Sequence, residues 1–471
     1  MLSIISEYSF IQERKYQTAI LQKLKEISND LHKTPVIIEL DCGLGKRILS
    51  YLIVQKYFPT KKVLVLLQAT SSLSETYNFF KNKYKLEVGY IGSITPPSLR
   101  KIILKEQRVI LSTPQTLANL YKNNSEIPFE FDLVLINEVD KIIRRTATRR
   151  TLIYPYPNLF ELAHNNESWI IGLSGTIRDS HIIVTETVRL EKELHTLTEN
   201  LMNVRIITME EVMSSDPNFN EHIELTVLKS YGVEDPIIRN IFEKLDNLVK
   251  EYREKIISEA KKEGLIDDTT KNLALIAGQL PLDSEIKAKY NSLLMMRKYI
   301  TGMMPVKFKQ FLARFPEFSK EEIELISEKS KKIQSIVSLI DQTPKTIIMV
   351  SYVFTGEVVQ KYLEKVGFST FFVSGMTFDK GKVVEDFRSS NSNKSVLIMT
   401  QVGERDLDLP ESKKIIVYDT VNTAKTMYQR FKRTRGGEVI CMYYSGTSEE
   451  NKIKRLYENI YKKYPWSIKI Q

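Results

Sequence analysis

The sequence predicts an α/β protein in which two parallel-sheet domains flank a helical insertion. Three observations carry this. Short β-branched runs alternate with helical patterns from the N-terminus to Leu190, the same alternation resumes after Thr343-Pro344, and the stretch between them is helical with marked caps. Unbroken apolar strands separated by helices belong to a parallel sheet covered on both faces.

In chain order, the first array reads Val36-Ile37-Ile38, Val63 to Leu67, Val109-Ile110-Leu111, Leu133 to Ile136 and Trp169-Ile170-Ile171. In the middle, Asp235 before Pro236 pairs an N-cap with proline at the first helical position. Ile237, Ile241, Leu245, Leu248, Tyr252 and Ile256 then repeat at helical spacing, and Gly264 is a stop. A second helix is expected from Ser284 to Thr301. A third opens on the capping box Ser319-Lys320-Glu321-Glu322 and carries Ile323, Ile326, Ile333, Ile336 and Ile340 on one side. The second array reads Thr346 to Val350, Thr370 to Val373, Val396 to Met399, Ile415 to Tyr418 and Val439 to Met442. The expected division is 1–200, a connector at 201–224, a helical domain at 225–335 and a second sheet domain at 336–471.

Composition narrows the class. The 471 residues are 42% hydrophobic and 27% charged, which excludes a largely disordered or fibrous chain. Lys and Arg number 68 against 58 Asp and Glu, a net charge of +10 that favours a polyanionic partner. Two cysteines, Cys42 and Cys441, build no disulfide framework, and the five histidines never stand at zinc spacing. The N-terminus lacks a signal-peptide pattern and no apolar run approaches membrane-spanning length, so no membrane partner is expected and the location is read as cytoplasmic or nucleoid-associated.

Chemistry concentrates at Asp41-Cys42-Gly43-Leu44-Gly45-Lys46-Arg47, between a strand and a helical pattern. Glycines let backbone amides converge on phosphate oxygens, and Lys46 supplies a point charge for the β- and γ-phosphates. Ser or Thr is expected after the lysine, where its hydroxyl would ligate Mg²⁺; Arg47 stands there instead. Asn137-Glu138-Val139-Asp140 follows the strand Leu133 to Ile136. Glu138 occupies the position of a carboxylate that orients or deprotonates the attacking water, and Asn137 replaces the carboxylate that would hold the metal.

These segments resemble the motifs of superfamily 2 helicases, and more narrowly their Hef/FANCM branch. Arg14-Lys15-Tyr16-Gln17 is similar to the entry motif whose glutamine contacts adenine, Cys42–Lys46 to motif I, Asn137–Asp140 to motif II and Leu173-Ser174-Gly175-Thr176 to motif III. Ser112 to Leu117 resembles motif Ib, Val350-Ser351-Tyr352 motif IV, Thr400 to Pro410 motif V and Gln429 to Gly436 a worn motif VI. The resemblance implies two RecA-like domains, ATP and Mg²⁺ as cofactors, and a helical insertion that touches branched DNA. It places Gln17, Gly43, Leu44, Gly45, Lys46 and Arg47 at the nucleotide, Glu138 and Arg433 (an arginine finger) at the chemistry, and Thr113, Ser351 and Thr400 on phosphodiesters.

The departures cluster. Arg47 and Asn137 replace both protein anchors of the ion, so hydrolysis is expected to be weak or lost. The Arg47 guanidinium is expected to pair with Glu138 or Asp140 and mimic the ion. Lys432 replaces a glycine of motif VI, and Asp406 one of motif V. Between Lys141 and Arg150 lie five cations, of which Arg144, Arg145, Arg149 and Arg150 are a candidate duplex or fork contact, with a solvated loop as the alternative. In the helical domain Arg297, Lys298, Lys307, Lys309 and Arg314 invite the same two readings. Glu13-Arg14-Lys15 spells a nuclease core, but Ala19 stands where that motif needs aspartate, so cleavage would need a nuclease partner. The leading expectation is a protein that binds branched or forked DNA in repair or fork processing. An active translocase with a variant Mg²⁺ site and a protein-interaction scaffold are the alternatives.

Overall fold

The computed structural model describes residues 13–29, 34–124, 126–145, 150–175, 177, 199–201, 204–268, 273, 277–282, 284–302, 305–327, 330–340, 345–390, 394–400, 412–419, 424–434 and 436–471. They form two compact units that meet in sequence at Ile223 and Glu224.

The first unit is built on strands β1 (Val36–Glu39), β2 (Val63–Leu66), β3 (Gly89–Ile91), β4 (Val109–Ser112) and β5 (Leu133–Asn137). A short hairpin, β6 (Ile143–Arg145) and β7 (Arg150–Leu152), follows before β8 (Trp169–Ser174) and β9 (Arg205–Ile207). Apart from the hairpin these make one seven-stranded parallel sheet in the order β3-β4-β2-β5-β8-β1-β9. The five apolar runs read from the sequence are its central strands. Full burial of β1, β2, β4 and β8 on both faces explains why they contain no polar alternation.

The second unit contains β10 (Thr226–Val233), β11 (Lys345–Val350), β12 (Ser369–Val373), β13 (Ser395–Thr400), β14 (Lys414–Val417), β15 (Glu438–Tyr444) and β16 (Ile468–Ile470). Their order is β12-β13-β11-β14-β15-β10-β16. Numbered by rank within its own sheet, each unit reads 3-4-2-5-6-1-7, so the two sheets share one topology. Helices Pro236–Lys262, Glu285–Gly302, Pro305–Leu312, Lys320–Glu324 and Lys331–Ile340 form the middle. They are inserted between the first and second strands of the second sheet.

Three expectations need revision. The helical domain is expected to begin at residue 225, yet Thr226–Val233 is the first strand of the second sheet, paired with β15 and β16. Its partly exposed Val227, Lys229, Ser230 and Tyr231 interrupt the apolar run that a buried strand would display. The connector 201–224 contains β9, a three-residue edge strand too short to register as a pattern. The expected third helix is two helices: the first ends at Glu324, and Ser330 caps a new one, its hydroxyl accepting from Ile333 N at 3.4 Å.

Both predicted caps form. The Asp235 carboxylate accepts from Ile238 N at 3.3 Å, and Ser319 and Glu322 bond reciprocally at 3.2 and 2.7 Å. The insertion is pinned to the sheet by Lys332. This wholly buried lysine donates to Thr301 O at 3.0 Å, Tyr418 O at 3.1 Å and Glu449 Oε2 at 3.4 Å. Beside it Gly302 packs so closely that a Cβ would stand 2.2 Å from Asp419 Oδ2.

Candidate nucleotide and nucleic-acid site

The loop Asp41–Gly45 leaves the C-terminal end of β1 and enters the helix Lys46–Leu52, which continues as a π-helical turn, Ile53–Tyr57. Gly43 and Gly45 both lie in the left-handed region, at φ +85° and +77°. That curl turns successive amides toward one point, and only glycine adopts it without strain. The space beside Gly43 is open, whereas a Cβ on Gly45 would come within 3.0 Å of Gln17 Nε2. Gln17 is buried against the loop, its Oε1 accepting from Arg14 N at 3.1 Å.

Lys46 Nζ donates to the carbonyls of Leu40 at 3.2 Å and Asp41 at 3.4 Å. Burial opposes its charge, but the fields of Cys42, Glu138, Asp41 and Asp140 outweigh it and hold the ammonium above the ordinary lysine range. Gly175 completes the pocket, since a Cβ there would lie 3.0 Å from Lys46 Nζ and 3.2 Å from Leu40 O. Motif II is joined to motif III by a hydrogen bond from Ser174 Oγ to the buried Asp140 Oδ1, at 2.7 Å. Glu138 sits at φ +54°, an unusual left-handed non-glycine, and forms an ion pair with Lys141.

Arg47 does not mimic an ion. Its Nη2 pairs with Glu75 Oε2 at 2.6 Å and its guanidinium lies 5.9 Å from the Phe79 ring, so the expected pairing with Glu138 or Asp140 is overturned. One residue along a helix turns a side chain by roughly 100°. Arg47 therefore faces the neighbouring helix Thr70–Asn78 rather than the ammonium of Lys46.

At Asn137, Oδ1 is buried without a hydrogen-bond partner, while the backbone carbonyl accepts from Gln68 Nε2 at 3.5 Å. The loop fits nucleotide phosphates. For a divalent ion, these two positions offer one neutral amide oxygen in place of a hydroxyl and a carboxylate. Among the described residues, no group of three or more His, Cys, Asp or Glu could hold a metal ion.

The candidate nucleic-acid residues fall at strand ends. Thr113 is nine-tenths buried, its hydroxyl bonded to Thr116 Oγ1 at 2.8 Å. Thr400 ends β13 and is buried, and Ser351 follows β11 with its amide donating to Asp419 Oδ1 at 2.9 Å. Part of the cation run after motif II lies in paired antiparallel strands, with Arg144 opposite Thr151 and Arg145 opposite Arg150. Arg149, Thr176, the motif V run Gln401–Pro410 and the Arg144, Arg145, Arg150 and Arg433 side chains lie outside the described residues.

In the insertion, Arg297 pairs with Asp246 at 2.9 Å and Lys309 reaches Glu324 O at 3.4 Å. Lys307 and Arg314 stack over Phe354 and Phe311. Sequence reasoning missed Tyr16, whose hydroxyl donates to Leu44 O at 2.8 Å and fastens the entry helix to the loop. It also missed Glu75 and Phe79. Tyr16 stands beside Gln17 in the entry motif; nothing in the sequence pointed to the other two.

Comparison with known proteins agrees with this architecture. Residues 10–179 match the family model for the res subunit of type III restriction enzymes, and residues 328–437 match the helicase conserved C-terminal domain. A putative ATP-dependent RNA helicase of Methanocaldococcus jannaschii is 23% identical over 482 residues, covering 94% of this chain and 60% of that protein. The ATP-dependent DNA helicase mph1 of Sclerotinia sclerotiorum is 25% identical over 537 residues, covering 95% of this chain and 41% of that one. The chain thus spans less than two thirds of the length of these relatives. The crystal structure of the Pyrococcus furiosus Hef helicase domain has the same fold, with a TM-score of 0.61 at 18% identity and coverage of 94% of this chain and 98% of that one. Of the two matched regions, one spans β1 to β8 and the other β11 to β14, and no helix among the described residues is long and apolar enough to cross a membrane. The chain has a helicase fold, built from two RecA-like domains.

Proposed function

We propose that this chain binds branched or forked DNA through its phosphate backbone, holds nucleotide at Gly43–Lys46, and hydrolyses ATP slowly or not at all. The observation that carries the reading is the pair of altered ion anchors: Arg47 turned to Glu75, and Asn137 presenting an unpartnered neutral oxygen. A bound Mg²⁺ would supply neutralisation of the charge that develops on the phosphates, and the protein positions that would hold it are those of Arg47 and Asn137. This chain's own contribution is electrostatic. Lys46, kept cationic by the carboxylates around it, attracts phosphate whether or not the ion is present. Glu138, at the position of the water-orienting carboxylate, is engaged in an ion pair with Lys141. The net charge of +10 and the arginine-bearing hairpin favour a phosphate backbone, and the relative named as the DNA helicase mph1 favours DNA. Repair or fork processing, with a nuclease or other repair protein as partner, is the setting that this reading implies.

The test is steady-state phosphate release with forked DNA and Mg²⁺. Turnover far below about 1 per second is expected, and turnover at that rate or above defeats the proposal. ATP affinity should be the same with and without Mg²⁺, and Arg47→Thr with Asn137→Asp should make it Mg²⁺-dependent. A second reading, an active translocase, is favoured by Asn137 Oδ1, which could accept from an ion's bound water. Mg²⁺-tightened ATP binding in the unmodified protein would select it.

A further inference from the structure

The two units carry the same turn at the same topological position. In the first, β3 runs into Gly92-Ser93-Ile94-Thr95; in the second, β12 runs into Ser374-Gly375-Met376-Thr377. Each turn closes with a backbone bond from its fourth residue to its first, Thr95 N to Gly92 O at 3.1 Å and Thr377 N to Ser374 O at 3.2 Å. Each is locked by the threonine hydroxyl, which accepts from Gly92 N at 3.0 Å and from Ser374 N at 2.9 Å. The third residue of each is an apolar side chain thrust into solvent: Ile94 and Met376 are both 81% exposed, and Phe378, just beyond the second turn, is fully exposed.

Register fixes what lies beside them. Ile91 pairs with Ser112, so the first turn starts alongside Thr113; Val373 pairs with Met399, so the second starts alongside Thr400. Those are the threonines that the motif resemblance assigns to phosphodiesters, and Val350, just before Ser351, is paired with Thr400. Among the described residues, Ile94, Met376 and Phe378 are the most exposed large apolar side chains. Two rigid turns present them at equivalent places, the second followed by Lys380 and by the exposed Lys382.

We propose that these turn tips are nucleobase contacts: Phe378 with Met376 in the second unit, and Ile94 in the first, each hold unstacked bases of nucleic acid whose backbone runs along the strand ends of that same unit. Cations in reach of phosphate, and an aromatic face in reach of a base, are the two elements that single-strand binding combines. A rigid turn presents the tip without an ordering cost at binding. The inference rests on the nucleic-acid reading above but is independent of ATP hydrolysis.

The experiment measures affinity for a single-stranded oligonucleotide, a fork and a blunt duplex across a salt series. Met376→Ser with Phe378→Ser should weaken single-strand and fork binding by roughly 5- to 100-fold. It should leave the duplex and the salt slope unchanged, because every phosphate-facing group is kept. Ile94→Ser should cost less, roughly 3- to 10-fold, since an aliphatic tip has no ring face. Phe378→Trp should retain affinity, and its emission should be quenched when single strand binds. Unchanged affinity of the serine variants, or a loss accompanied by a shallower salt slope, overturns the base contact. So does a serine variant that alters only self-association, which would assign the tips to a protein partner. If the unmodified protein binds neither fork nor single strand at low salt, the parent reading falls as well.

Discussion

At the residue scale, the outcome at Lys46 depends on a position with no side chain. Gly175 leaves room for the ammonium between the carbonyls of Leu40 and Asp41. Gly175→Ala should displace Lys46 and weaken nucleotide binding by about tenfold or more, roughly 1.4 kcal/mol, read with a fluorescent ATP analogue. The Arg47–Glu75 pair is half exposed, with the Arg47 side chain at 41% and that of Glu75 at 35%. Breaking it with Arg47→Thr should therefore change unfolding free energy by less than about 1 kcal/mol in a urea titration. Any change in Mg²⁺ response in that variant would then report on the ion site and not on folding.

At the element scale, the helical insertion is held by caps and by one buried cation. Asp235→Ala should cost about 0.5–2 kcal/mol by removing the cap of the helix Pro236–Lys262. Lys332→Met should cost more, about 3–5 kcal/mol, because Glu449 keeps a buried carboxylate without its cation. Burial already raises the carboxyls of both Glu449 and Asp419 above their ordinary range, against the pull of Lys332. A raised acid favours the folded state when protonated, and that advantage is lost as pH rises through the folded pKa. The deficit of Lys332→Met should therefore shrink on acidification, as chemical denaturation at several pH values would show.

At the scale of the whole molecule, binding should be governed by charge. The chain carries +10, and hairpin β6–β7 gathers arginines directly after motif II. Replacing Arg144, Arg145, Arg149 and Arg150 with Ala should reduce the slope of log affinity against log salt by about 0.9 for each phosphate that is no longer neutralised. An unchanged slope would return the hairpin to a solvated role. The shared 3-4-2-5-6-1-7 topology places both sheets' nucleic-acid candidates at C-terminal strand ends, where loops of parallel sheets converge on ligands.

Periodicity in the sequence determined the ten strands that read as apolar runs, the caps at Asp235 and Ser319, and the glycine-lysine loop, because each is encoded by neighbouring residues. It also exposed the replacement of both ion anchors, since those are residue identities at fixed spacing. What it left open was decided over long sequence separations. Strand β9 forms beside β1 and strand β10 between β15 and β16, all distant partners in sequence, although three residues or a polar-interrupted run carry little local signal. Arg47 could have turned to Glu138 or Asp140, but its rotation about the helix axis and the presence of Glu75, 28 positions away in sequence, decided its partner. The paired tips at Ile94 and Met376 likewise became visible only when two strand ends stood side by side, because exposure and register are properties of packing rather than of sequence.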